Sequence, residues 1–344
     1  MDKTINIMNC FNDNYAIPGG VAILSLLENS SRDYFYNFFI LHNDLSVNHQ
    51  STLEQIVKNF PNASIKFIDM KKKFCDLFDS LKTKGHFSAE MFYKFCVPEL
   101  FPDLDKIMIA DVDVVYLNDV APIYEDFDVN GDYYVYAAKS ILIKSNTCET
   151  KNKISLFFKI LKKIRNKKKQ NYLDLYTEEE RSKLICGAGY YIFNLKKMRE
   201  DNIYQKCVDF AYKNSYRLLQ PEQDVISLIC YPKIKIMPAN ALVCTYSYDM
   251  FKTKEDYNNA LGHTKEEVDF ALNNPIQLHY AGMAKPWNCP GCLKSEIWFN
   301  YLVKTPFLRE YLDTQQKHII KKETILKFKL PFAKRILSIE KEWQ

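Results

Sequence analysis

The stretch "MIADVDVVYLNDV", residues Met108–Val120, decides how the rest of the chain is read. An apolar run ends in two carboxylates, Asp111 and Asp113, one residue apart. The run has the content of a buried strand. Residues i and i+2 of a strand face the same side, so the two carboxylates are expected to converge on one point. Two carboxylates there repel unless one is protonated or a cation lies between them. Oxygen ligands of this kind suit Mg²⁺ or Mn²⁺. A DxD alone is equally a turn with two solvated acids, so the flanking sequence has to decide.

Upstream, strand and helix patterns alternate. "INIMNCF", "YNFFILH", "ASIKFIDM" and "KIMIADV" read as strands. "PGGVAILSLLEN", starting near Pro18, "VNHQSTLEQIVKNF" and "SAEMFYKFCVPEL" between them read as helices. This alternation predicts βαβ units and a largely parallel sheet. Ligands of such sheets bind beyond the carboxyl ends of the strands, which singles out Asn12–Tyr15 and Asp111–Asp113. Downstream come a strand, "GYYIFNL", and helices "NIYQKCVDFAYKN" and "EQDVISLICY". No internal repeat and no Gly/Ser-rich linker is found. The division expected is one catalytic domain, residues 1–290, and a helical basic tail, residues 291–344.

Bulk properties narrow the class. The 344 residues suffice for a large core, and 47% apolar with 26% charged residues is an ordinary soluble composition. The 23 Tyr and 23 Phe promise aromatic packing. No run of about 18 apolar residues exists, so no spanning helix is expected. "MDKTINIMNC" lacks the apolar core of a signal peptide, and the ten cysteines are read as reduced thiols of a cytosolic protein. Cys289 and Cys292 ("CPGC") have no second CxxC nearby and read as free thiols in a loop. The net charge of +5 is uneven. Residues 151–169 hold nine Lys/Arg and no acid; residues 317–344 hold eight Lys/Arg against three Glu.

Three further segments accompany the DxD. In "NCFNDNYAIP", Asn side chains can read a base edge and Tyr15 can stack on it; a turn feeding a helix has the same look. In "HYAGMAKPW", His279–Trp287, a metal-ligand type, a flexible Gly and a phosphate-binding Lys share one loop, although a lone strand His is commonly a packed core residue. In "CGAGYYIFNLKK", Gly187 and Gly189 permit close backbone approach to a ligand. "QPEQDV" follows, placing Glu222 to Asp224 at a helix start, where a simple capping turn is the alternative.

Together these motifs, in this order over about residues 4–290, resemble glycosyltransferase family 8, whose members are retaining nucleotide-sugar transferases. "ADVDVVYLNDV" and "HYAGMAKPW" are the most specific. The resemblance implies the Rossmann-like α/β fold called GT-A. It implies Mn²⁺, with Mg²⁺ as an alternative, held by Asp111, Asp113 and His279 on the diphosphate of a UDP-sugar, with Val112 beside it. Asn12, Asn14 and Tyr15 would bind uracil, and Gly282 and Lys285 would clamp the diphosphate. Lys94 falls where the family usually has Arg, against donor sugar and phosphate. Ala188 and Gly189 would line the sugar pocket. Glu222, Gln223 and Asp224 would lie by the anomeric carbon, with Gln223 and Asp224 in the catalytic roles. The chain departs from the family pattern at Asn12, Lys94 and Gly187, and near Ala138.

The expected activity is transfer of glucose or galactose from a UDP-hexose to a lipopolysaccharide, lipooligosaccharide or other surface glycan. In "HIIKKETILKFKLPFAKRILSIEKEW" basic and apolar residues alternate, which suits an interfacial helix on an anionic membrane. The expected location is therefore cytoplasmic, peripheral on the inner face of the membrane, with a glycan or glycolipid acceptor. Two rival readings stay open: a degenerate UDP-sugar binder without turnover, and a nucleic-acid-binding protein using the basic segments. The second explains neither specific motif, and no nucleic acid partner is expected.

Overall fold

The chain is described from a computed structural model, over residues 3–81, 88–139, 175–187, 189–218, 220–253, 255–256 and 262–316. Its strands are β1 (Lys3–Cys10), β2 (Tyr34–His42), β3 (Ala63–Asp69), β4 (Lys106–Ala110), β5 (Val114–Tyr116), β6 (Val135–Ala137), β7 (Tyr190–Asn194), β8 (Ile234–Ile236), β9 (Leu242–Cys244) and β10 (Gln277–His279). They form a seven-stranded sheet, β3-β2-β1-β4-β7-β6-β8, and a three-stranded sheet, β5-β10-β9.

The βαβ reading holds over the first four strands. β2 is parallel to β1 and β3, and β1 is parallel to β4 with Ile7 opposite Met108. Both faces of this part are covered, so β4 has an unbroken apolar run, Ile107–Ala110, all of it buried. Beyond β4 the sheet is mixed. β7 runs antiparallel to both β4 and β6, and β8 is parallel to β6. In the small sheet β10 is antiparallel to β5 and parallel to β9.

One expectation fails in detail. Asp111 and Asp113 do not lie on one pleated strand. β4 ends at Ala110, β5 begins at Val114, and the carboxylates occupy the bend between. The chain there leaves one sheet and enters the other, which a run of apolar residues broken only by two acids does not reveal. The convergence survives for another reason: Val112 is buried, and the residues on either side of it open towards the cleft.

Helix α1 (Ala16–Asn29) starts two residues before Pro18, which falls in its first turn. It is apolar on nearly all sides and is correspondingly buried, between β5, helix α2 (Val47–Lys58) and the helix Ser295–Leu302. Gly20 is needed there: a Cβ would stand 2.6 Å from the Phe307 ring.

The boundary expected at residue 290 is not a break in the core. Trp298 is fully buried, and with Leu302, Phe307 and Tyr311 it joins the core cluster of α1 and β1. Its indole packs on Trp287, Phe299 and Tyr311, with ring centroids 5.6, 5.2 and 5.9 Å away. The expected basic tail beyond 316 and the Lys-rich stretch 151–169 lie outside the described residues. Among the described residues no helix is long and apolar enough to cross a membrane.

Trp298→Ala is therefore expected to cost about 3–5 kcal/mol, the range for emptying a large aromatic site. Urea unfolding should show a lower midpoint with an unchanged slope. An unchanged midpoint would mean that the segment after 290 is an independent appendage.

Candidate active site

Three hydrogen bonds pin the bend between the sheets. Asn9 Nδ2 donates to Ala110 O (2.7 Å), Asp111 N to Gly189 O (3.1 Å) and Tyr280 N to Asp113 O (2.9 Å). The ends of β1, β4, β7 and β10 thus meet at the two aspartates. His279 closes β10, directly across from Val114. One ligand atom from each of Asp111, Asp113 and His279 lies within 4.8 Å of the others.

Buried lysines face this cluster. Lys94 Nζ lies 2.9 Å from Asp111 Oδ1 and 2.8 Å from Glu222 Oε1, over the Tyr191 ring. Lys285 Nζ donates to Asp113 Oδ2 and to Tyr280 O. His279 Nε2 is 3.1 Å from Asp113 Oδ1. Burial disfavours charge at Asp113, His279, Lys94 and Glu222, and pairing outweighs it at the first three but not at Glu222. Burial would raise the Asp113 carboxyl, but His279 and Lys285 outweigh it and hold it far below the usual carboxylate range. Burial would lower His279, but Asp113 outweighs it and lifts the imidazole to about 10. Lys94 is held above its ordinary value by Asp111 and Glu222 against burial. Glu222 is raised by burial, reinforced by Asp111 and only partly opposed by Lys94.

The donor set of two carboxylates and an imidazole, which gives up its proton when a metal takes its place, fits a divalent cation that accepts oxygen and nitrogen ligands. It is the one such cluster of three or more ligating groups among the described residues. Gly189 makes the fit possible. Its φ is +107°, and a Cβ there would stand 3.0 Å from His279 Cε1 and 3.1 Å from its Nδ1. The glycine is set against the imidazole, rather than reaching a ligand only through its backbone.

A cleft opens in front of the cluster. Of the residues singled out in the sequence, Asn12, Tyr15, Lys94, Asp111, Val112, Asp113 and Glu222 line it. Asn12 Oδ1 is buried without a hydrogen-bond partner. Tyr15 meets Trp287 edge-on at 5.7 Å. Asn14 is exposed and off the lining. Lys285 is buried and its carbonyl starts the turn to Cys289; Gly282, in the exposed loop before it, has φ +92° with open space where a Cβ would be. Gly187 N donates to Ala138 O at 2.7 Å. Ala188 lies outside the described residues. Gln223 is half-buried and Asp224 fully buried, and neither lines the cleft. Asp224 Oδ2 accepts from Tyr176 Oη (2.6 Å) and Gln220 N (3.0 Å). Cys289 is exposed and Cys292 half-buried, both free thiols.

Sequence reasoning missed Cys10, Phe11, Ser88, Glu90 and Met91 in the cleft wall. Glu90 had a signal: it stands four residues before Lys94 in an apolar helical run, so both polar groups fall on one face. It is buried and accepts from Asn43 Nδ2 at 3.3 Å.

A family model described as Glycosyl transferase family 8 matches residues 6–289. The chain is 22% identical over 293 residues to "General stress protein A" of Bacillus subtilis, covering 83% of this chain and 88% of that protein. It is 20% identical over 332 residues to "Lipopolysaccharide 1,2-glucosyltransferase" of Escherichia coli, covering 94% and 83%. Among solved structures, galactosyltransferase LgtC with donor and acceptor sugar analogs superposes with a TM-score of 0.61 at 18% identity, over 88% of this chain and 96% of that one. The bifunctional glycosyltransferase WbbM gives 0.65 at 22%, over 91% of this chain, which spans about half (52%) of that longer protein. At these identities the two structures show the GT-A fold alone.

Gly189→Ala should force the His279 ring aside and strain the backbone, costing about 1–3 kcal/mol of stability. Urea unfolding measures the loss, and Mn²⁺ titration should show weaker binding than in the native chain. Native stability and native Mn²⁺ affinity together would refute the role given to this glycine.

Proposed function

The chain belongs to glycosyltransferase family 8, and from that premise we propose that it moves glucose or galactose from a UDP-sugar to a lipopolysaccharide, lipooligosaccharide or other surface glycan, with retention at the anomeric carbon. Family membership makes it a glycosyltransferase using a nucleotide-sugar donor and a glycan acceptor. The observation that carries the finer reading is the meeting of Asp111, Asp113 and His279 with buried Lys94 and Lys285 beyond the carboxyl ends of β1 and β4. That is where open α/β sheets bind ligands. The similarity to the lipopolysaccharide 1,2-glucosyltransferase of Escherichia coli supports the acceptor class.

Asp111, Asp113 and His279 are the residues that would hold Mn²⁺ or Mg²⁺, which when bound supplies Lewis-acid stabilisation of a diphosphate leaving group. Lys285, fixed by Asp113 and the Tyr280 carbonyl, is a cation already in place for the same charge. Lys94 would serve donor phosphate and sugar, and its pairing to Glu222 orients that carboxylate at the edge of the sugar site. In this reading Asn12, Asn14 and Tyr15 take uracil, Gly282 and Lys285 the diphosphate, and Ala188 and Gly189 the sugar. Gln223 would steady the positive anomeric carbon through its amide oxygen. Asp224 is assigned as the residue that fixes the start of the helix Pro221–Cys230, because it is fully buried off the cleft and its Oδ2 accepts from Tyr176 and from Gln220 N. This favours attack by the acceptor hydroxyl from the side of the departing phosphate, which takes the proton, over a covalent intermediate on Asp224.

Peripheral membrane attachment through residues 317–344 completes the proposal. It rests on the alternation of basic and apolar residues there.

UDP release from a panel of UDP-sugars tests the reaction. One UDP-hexose should be hydrolysed slowly with Mn²⁺ and not with EDTA, and Asp113→Ala should lower the rate by about 100-fold or more. UDP binding without turnover on any donor or acceptor would favour a degenerate binder, and no UDP binding would overturn the reading. Separately, removing residues 318–344 should move the protein from membranes to the soluble fraction while sparing turnover on soluble acceptors; an unchanged membrane fraction rejects the attachment.

A further inference from the structure

Asp13 lies inside the segment Asn12–Tyr15, yet none of the roles above uses it. We propose that His49, as a cation bridging Asp13 and Glu310, is a positioning residue that holds this segment in shape for the donor nucleotide. The inference rests on the assignment of Asn12–Tyr15 to that nucleotide.

The segment cannot hold itself. Asp13–Tyr15 is a single 3₁₀ turn with no side-chain cap at Asn12, closed by the Tyr15 N to Asn12 O bond at 2.9 Å. Its anchor is the Asp13 carboxylate, which points away from the cleft. Asp13 Oδ1 lies 2.6 Å from His49 Nδ1 and accepts from Ser46 N at 2.8 Å. Asp13 N approaches Asp44 Oδ1 at 3.4 Å. The other nitrogen of the ring, Nε2, lies 2.9 Å from Glu310 Oε1. The ring sits edge-on to Phe307 at 5.8 Å, and its side chain is 15% exposed. One imidazole thus ties the turn, the start of α2 and the segment after the helix Ser295–Leu302.

Both ring nitrogens face carboxylates, and only the imidazolium can donate from both. A neutral ring would turn a lone pair towards an anion. Burial works against the charge, but the bonds to Glu310 and Asp13 outweigh it and raise His49 above its ordinary value. Asp13 is correspondingly lowered, its Ser46 and His49 bonds exceeding the effect of burial. The sign follows. A raised folded-state value means that the bridge is fully present below about pH 6.5 and is lost as pH rises through the raised value. Asp13, being lowered, gives way only as pH falls through its own folded value. Asp13, Asp44 and Glu310 are the charged groups in this network.

The test combines amide hydrogen exchange over residues 12–16 with UDP affinity by calorimetry in Mn²⁺, on the full chain. His49→Ala should speed exchange there and weaken UDP binding by about tenfold or more, the scale of losing a charge-assisted hydrogen bond, with β1–β3 unchanged. The loss should fall on donor KM more than on kcat. His49→Arg, a permanent cation, should restore both readouts. Native UDP affinity should fall as pH rises through the bridge's value, and the Arg variant should lack that fall. Native exchange in a folded His49→Ala protein would overturn the proposal. If His49→Ala does not fold, Glu310→Ala, which removes an exposed partner, decides: faster exchange over 12–16 supports the bridge and native exchange refutes it. If the native chain binds no UDP, the functional reading fails, and exchange still decides the bridge.

Discussion

A carboxylate cannot be buried alone. The buried Glu222, the largely buried Asp113 and the partly exposed Asp111 are drawn together by a chain that changes sheets at Asp111–Asp113, and the charge of the first two is held there only with a cation beside it. The structure answers with Lys94 from a helix, Lys285 from a loop and His279 from the second sheet. None of these partners is local in sequence. The bend is therefore stable only once both sheets and the loop after β10 are assembled, and losing one member leaves an opposite charge stranded, at a cost of roughly 3–5 kcal/mol.

The same pairing sets up the proposed chemistry. Charges held by buried partners do not reorganise when a new charge develops beside them, which is the condition for strong electrostatic stabilisation. Lys94 shows the coupling. It joins an aspartate of the candidate metal cluster to Glu222 at the start of the helix Pro221–Cys230, so the metal side and the proposed sugar side of the cleft share one ammonium. Lysine at this place acts as a point charge rather than a planar fork, so its two carboxylates can sit in different planes.

Much of this was legible in the sequence because it depends on short-range pattern. The apolar run before Asp111, the alternating strand and helix lengths and the "HYAGMAKPW" loop each state their local structure. What stayed hidden is non-local. Nothing in "ADVDV" says that the strand stops at Ala110, since β5 is as apolar as β4 and the change of sheet is dictated by pairing with β10, over 150 residues later. Gly189 reads as a ligand approach, but its need is set by the His279 ring, which comes 90 residues later. Asp224 reads as a catalytic residue beside Gln223, and only the fold shows that it is buried off the cleft with its Oδ2 engaged by Tyr176 and Gln220. The segment after 290 reads as basic and helical because Lys residues crowd its end, 317–344, while Trp298, Phe307 and Tyr311, which place it in the core, stand in its first part.

That C-terminal packing has a consequence for synthesis. α1 leaves the ribosome well over 200 residues ahead of Trp298, Leu302 and Phe307, side chains that pack against it. The Asp13 turn waits on Glu310 in the same way. α2 and β5 cover two sides of the largely apolar α1 early, but the side that meets Trp298, Leu302 and Phe307 waits for most of the chain to be made, at about 5–20 residues per second. The time for which that side stays open is set by where its cover is encoded and not by how stable the finished fold is.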